Sequence, residues 1–124
     1  IPHFRAACKV YEENGGAYTM FSPDGVVAIS GVAPVMPGVG SAWMLLSDLV
    51  KKYPKATYKA TRDFMQAIEE DWRIHRIQAT ASAGDMVARN WLRHLGFVEE
   101  GTLRQYGPGR SDHVIFGRVK TWVQ

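Results

Sequence analysis

The segment from Ile74 to Val119 constrains the fold most, because its local signals leave a single order of elements. Ile74 to Ala81 reads as a strand, with Ile74, Ile77 and Ala79 as its apolar positions. From Asp85 to Leu95 the period becomes helical: Met86, Ala88, Trp91, Leu92 and Leu95 share one face and are expected to point inward. Asp85 stands where an N-cap accepts from the orphan N–H groups of the first turn. Gly96 ends the helix as a C-terminal glycine, and Phe97 enters the next strand. Glu99 to Tyr106 and His113 to Lys120 are two more strands, joined by a turn over Gly107 to Asp112.

Upstream, Phe4, Ala7, Cys8 and Tyr11 fall at helical spacing and predict a short helix over Ile1 to Glu13, stopped by Asn14-Gly15-Gly16. Three strands follow, over Ala17 to Phe21, Val26 to Val35 and Ser41 to Leu46. Ser22-Pro23-Asp24-Gly25 and Met36 to Gly40 are the connecting turn and loop. Asp48 to Tyr53 is expected to be a turn or short helix. Pro54 fits only near a helix start, so the main helix is expected from there to about Trp72. Tyr58, Thr61, Phe64, Met65, Ile68 and Trp72 would line its buried face, with Lys59, Arg62, Asp63, Glu69 and Glu70 on the others. Trp43, Trp72 and Trp91 read as core residues, and Trp122 lies in a tail that could pack at an interface.

Composition narrows the class. The chain has 124 residues, 46% hydrophobic and 22% charged, as expected of one soluble domain over 1–124. Its single cysteine, Cys8, excludes an internal disulfide, and the four histidines lack metal-ligand spacing, so no metal is expected. No apolar run is long enough to span a bilayer, so no membrane partner is expected. The net charge of +3 suits an anionic ligand, with Lys51, Lys52, Lys55 and Lys59 as the densest basic cluster. No basic stripe interleaved with aromatics supports nucleic-acid binding. The chain begins with Ile1, which is read as a piece of a slightly longer protein with its N-terminal elements short or missing.

Helix, three strands, long helix, strand, helix and two strands describe an α+β domain with a mixed, mostly antiparallel sheet flanked by helices. From the second strand onward this order resembles the GNAT superfamily of N-acetyltransferases. The residues that carry the resemblance are Ala88, Leu95-Gly96-Phe97, Glu100-Gly101, Leu103-Arg104 and Asp112. They look like the pattern in which a helix ends in Gly-Phe, followed by Glu-Gly and Leu-Arg, a loop, and an Asp opening the last strand. The flavour is similar to the ribosomal-protein N-terminal acetyltransferases.

The resemblance implies transfer of an acetyl group from acetyl-CoA to an amine on a protein or small molecule. It places backbone donors for the thioester on Trp43, Met44, Leu45 and Leu46. It places the pyrophosphate near Lys52, Lys55, Ala56 and Thr57, and a cofactor contact at the head of the second helix, here Asp85. A glycine-rich phosphate loop is the family's usual device. Tyr53 to Tyr58 contains no glycine, and Pro54 has no N–H, so lysine charge would stand in. Leu92 occupies the position where many members carry a tyrosine acid. Glu99, Glu100, His75, His94 and Asp112 are the titratable candidates for a base. The degenerate loop also suits an alternative: a catalytically inactive GNAT-fold structural or interaction protein, for example one associated with a phage virion. The first reading predicts a cytoplasmic protein; either allows a homo-oligomer or larger assembly.

Overall fold

A computed structural model describes residues 9–13 and 16–120. Its strands are β1 (Lys9–Glu13), β2 (Ala17–Ser22), β3 (Gly25–Met36), β4 (Val39–Leu46), β5 (Arg76–Ser82), β6 (Val98–Leu103) and β7 (His113–Val119). The helices are α1 (Pro54–Asp71) and α2 (Met86–His94), with 3-10 turns at Asp48–Lys51 and Pro108–Arg110. The strands order as β1-β2-β3-β4-β5-β7-β6, and among the recorded ladders β4 with β5 is parallel while the rest are antiparallel. The chain divides into two compact units: residues 1–33 with 42–73, and residues 34–41 with 74–124.

In the first unit the predicted N-terminal helix is corrected. Lys9–Glu13 is a strand, laddered against Ala17 to Phe21. Asn14-Gly15-Gly16, read as a helix stop, equally suits a hairpin, and a neighbouring strand decides between the two. The rest of the expected helix, residues 1–8, lies outside the described residues. The hairpin from β2 to β3 turns at Pro23-Asp24. Ser22 Oγ accepts from the Asp24 N–H at 3.1 Å and donates to the Gly25 carbonyl at 3.1 Å.

α1 packs on the β2–β3 face through Tyr18, Met20, Val27, Phe64, Met65 and Ile68, all buried. The Tyr18 and Phe64 rings lie 4.7 Å apart. The Tyr18 hydroxyl meets Thr61 Oγ1 at 2.8 Å, and that hydroxyl donates to the Thr57 carbonyl at 2.8 Å. Burial pushes the Tyr18 phenol above its ordinary pKa, so it stays protonated and bonded. Two expectations change here. Glu69, assigned to a solvated face, is buried at 2% exposure, whereas Trp72 and Trp43 are 37% and 42% exposed. The two indoles instead cover glycines, Trp43 against Gly31 of β3 and Trp72 against Gly16 just before β2. Where a facing residue has no side chain, an indole can lie on backbone and leave its outer side to solvent.

In the second unit β5, β7 and β6 form an antiparallel sheet. Ile77, Ala79, Ala81, Val114 and Phe116 are buried on it, with Leu95 and Phe97. The end of α2 follows the sequence expectation: Gly96 adopts φ +90°, and the Phe97 N–H returns to the Leu92 carbonyl at 3.0 Å. Met86, expected inward, is 50% exposed; it sits in the first turn, beyond the part of the helix that buries Leu95. β6 stops at Leu103, short of the predicted Tyr106. Gln105 turns at φ +52°, and its N–H is held by the Asp112 carboxylate at 2.9 Å.

Candidate functional site

The first unit holds eight of the nine positions implied for the cofactor. Trp43 to Leu46 form the last half of β4, with Leu45 and Leu46 exposed and Met44 half-buried. The Trp43 carbonyl accepts from Ser30 Oγ at 3.1 Å. Ser47 ends the strand: its N–H reaches the Val27 carbonyl at 3.0 Å and its Oγ donates to the Val26 carbonyl at 2.6 Å. Ser47 Oγ also accepts from the Leu49 N–H at 3.3 Å, which starts the 3-10 turn leading to Lys52.

At the head of α1, Pro54 takes the first helical position. Its missing N–H and the Thr57 N–H, which goes to the Tyr53 carbonyl at 3.0 Å, leave Lys55 and Ala56 as the first-turn donors. Lys55 is exposed. The Ala56 and Thr57 side chains are buried, and Thr57 Oγ1 donates back to the Tyr53 carbonyl at 2.7 Å. Ala56 can therefore offer a ligand its backbone N–H only, while the Thr57 N–H and hydroxyl are both turned to the Tyr53 carbonyl.

Lys52 already has an anion. Its ammonium stands 2.7 Å from Asp24 Oδ2, and the Tyr53 hydroxyl donates to the same oxygen at 3.0 Å. The Lys52 hydrogen bond, then that of Tyr53, holds the Asp24 carboxyl below the usual carboxylate range. Asp24 in turn raises the Lys52 ammonium. Sequence reasoning missed this cluster. Asp24 reads as a turn residue, and nothing local links it to positions 28 and 29 residues away.

Asp85 lies in the second unit, and its Oδ1 caps α2 by accepting from the Ala88 N–H at 3.0 Å. The candidate bases there have structural partners. Glu99 bridges Arg89 and Arg93, one turn apart on α2, at 3.0 Å each. Glu100 pairs with Arg76 at 2.6 Å. Both carboxyls are held below their ordinary range, Glu99 first by the Arg93 hydrogen bond and Glu100 by that of Arg76, which makes them poor proton acceptors near neutrality. His94 Nδ1 bonds the Asn90 carbonyl at 2.8 Å, and the His75 ring lies against Gly38. Among the described residues no group of His, Cys, Asp and Glu is arranged to hold a metal.

The β4–β5 ladder pairs Val39, Gly40 and Ser41 with Arg76, Ile77 and Gln78. It ends at Ser41, while β4 continues to Leu46 and β5 to Ser82 alongside β7.

No family model matches the chain, and no curated protein matches it in sequence. Solved structures do match in fold. A GNAT-family acetyltransferase from Bacillus anthracis is similar with TM-score 0.73 at 11% identity, over 84% of this chain and 66% of that one. A ribosomal-protein-alanine N-acetyltransferase from Brucella melitensis has TM-score 0.72 at 17% identity, over 84% and 68%. A spermidine N-acetyltransferase variant from Vibrio cholerae has TM-score 0.72 at 12% identity, over 87% and 68%. The chain has the GNAT fold, and spans about two thirds of the length of the structures it matches. No helix among the described residues is long and apolar enough to cross a membrane.

Proposed function

We propose that this chain transfers an acetyl group from acetyl-CoA to an amine. The observation that carries the reading is the ladder that ends at Ser41 while β4 runs on to Leu46. Successive N–H groups of a strand point to opposite edges. That of Ser47 goes to Val27 on the β3 side, so those of Leu46 and Met44 address the other edge. There they can donate to the thioester carbonyl and to the oxyanion formed when an amine attacks it. The C–N bond forms, the C–S bond breaks, CoA leaves as thiolate, and the amine proton passes to solvent. Leu92 is compatible with this, because a thiolate departs without a dedicated acid. Lys55, Lys51 and the first-turn N–H groups of Lys55 and Ala56 would face the pyrophosphate.

The acceptor amine, protein-borne or small, is left to experiment, as are the expected cytoplasmic location and homo-oligomer. Calorimetric titration with acetyl-CoA tests the reading. Micromolar binding that Lys55→Glu weakens supports it; no heat at millimolar acetyl-CoA overturns it.

A second reading has its own support. Pro54 in the phosphate loop and Lys52 committed to Asp24 leave few donors for a pyrophosphate. They favour a non-catalytic GNAT-fold structural or interaction module. Failure to bind CoA, or binding without consumption of acetyl-CoA across a panel of amine and protein acceptors, would favour this reading.

A further inference from the structure

We propose that Asp24 is an internal competitor of the cofactor's phosphates for Lys52 and Tyr53, and so sets how tightly this site holds an acyl-CoA. The inference rests on the acetyl-CoA reading above. Lys52 Nζ and the Tyr53 hydroxyl converge on a single oxygen, Asp24 Oδ2, at 2.7 and 3.0 Å. An ammonium and a phenol aimed at one point make the donor set that a phosphate oxygen takes. Both donors lie in the two positions just before Pro54, at the head of α1. The carboxylate thus stands in for the anion in the free protein.

Asp24 is exposed, as is Lys52, with 43% and 62% of their side-chain surfaces open, so a ligand can reach the pair from solvent. An exposed ion pair is weak enough to exchange partners. A pyrophosphate group arriving there meets two opposing effects. It gains a lysine and a hydroxyl only by displacing the carboxylate, and the displaced carboxylate then repels it at close range. Removing the negative charge of Asp24 removes both penalties. The turn itself does not depend on that carboxylate, because Ser22 Oγ accepts from the Asp24 backbone N–H and bonds the Gly25 carbonyl.

The test is calorimetric binding of acetyl-CoA, and of inorganic pyrophosphate as a competitor, to the wild type, Asp24→Asn, Lys52→Gln and the double variant, at low and moderate salt. Asp24→Asn should tighten acetyl-CoA binding roughly two- to fivefold, an effect of the size of an exposed ion pair. The gain should be smaller in the Lys52→Gln background, where only the competition for Tyr53 and the repulsion remain, and it should shrink with salt. Unchanged or weaker binding by Asp24→Asn, in a protein whose thermal midpoint is retained, overturns this proposal and leaves the acetyl-CoA reading standing. A gain that persists undiminished without Lys52 also overturns it. No binding by any variant at millimolar acetyl-CoA overturns both.

Discussion

Arg76 and Glu100 meet as a two-pronged ion pair over the backbone of Gly117. Nη1 lies 2.9 Å from Oε2 and Nη2 2.6 Å from Oε1, and a Cβ on Gly117 would come within 2.5 Å of both partners. Gly117 pairs with Gln78 of β5 on one side and Val98 of β6 on the other, so the fork spans the central strand of the second unit.

This pair gives the fold an acid-sensitive element. The Glu100 carboxyl is held below its ordinary value of 4.5 by the Arg76 hydrogen bond. A depressed folded value adds stability that is present above 4.5 and lost as pH falls through the folded value. Since Glu100 is partly exposed, the contribution is at most about 1 kcal/mol. Glu100→Gln should therefore be less stable than wild type near neutral pH and converge with it as pH falls from 4.5 through the lowered folded value, read by urea unfolding across acid pH.

Gly31 should tolerate no side chain. A Cβ there would lie 2.6 Å from the Trp43 ring and 2.7 Å from the Gly16 carbonyl oxygen. Gly31→Ala is expected to destabilise by about 1–3 kcal/mol. Adding Trp43→Ala should recover only part of the loss, because the backbone oxygen remains. A denaturation midpoint equal to that of the wild type would contradict the packing.

The Tyr18–Thr61–Thr57 chain separates removal of a bond from isolation of a donor. Thr61 gives its proton to the Thr57 carbonyl, so the Tyr18 hydroxyl donates to Thr61. Tyr18→Phe removes that donor and should cost about 1 kcal/mol. Thr61→Val strands the buried phenol and should cost more, about 1–3 kcal/mol. Equal losses would mean that the neighbouring Ser30 hydroxyl, which also lowers the Tyr18 pKa, takes over as partner.

Gly96 isolates a backbone effect. At φ +90° it has room for a methyl group, since the nearest atom to a built Cβ is Arg118 Nη1 at 3.9 Å. Gly96→Ala should cost about 1 kcal/mol through conformation alone, and Gly96→Asn less. Arg118, which donates to the Leu95 carbonyl at 2.7 Å, should be undisturbed in either variant.

Elements announced by punctuation were readable from sequence. Pro23-Asp24-Gly25, Pro37-Gly38 and Gly96 mark chain reversals whatever the rest does, and Asp85 makes the N-cap bond expected of it. What escaped depends on partners distant in sequence. A helical spacing over Phe4 to Tyr11 could not reveal that Lys9–Glu13 has β2 to pair with. Trp43 reads as core unless the glycine opposite is known. Glu69 looks solvated by type and is buried by position. Of the elements that carry the candidate site, the strand over Trp43 to Leu46 and the helix start at Pro54 were readable from the sequence. The commitment of Lys52 to Asp24, and of Glu99 and Glu100 to arginines, was not, since each joins residues that only the folded chain brings together.

The register of β6 explains why Glu100 is free to reach Arg76. Glu99 faces Phe116 and Gly101 faces Ile115, so Glu100 is an extra residue between them, a β-bulge. Strand length is therefore a specification in its own right. Excising residue 100 would restore an even pleat and keep every neighbour's identity. Gly101, Thr102 and Leu103 would keep Ile115, Val114 and His113 as partners, and the Arg76 guanidinium would face Gly117 without its carboxylate. At this point of the chain, the one residue that the ladder does not need is the one that supplies the carboxylate.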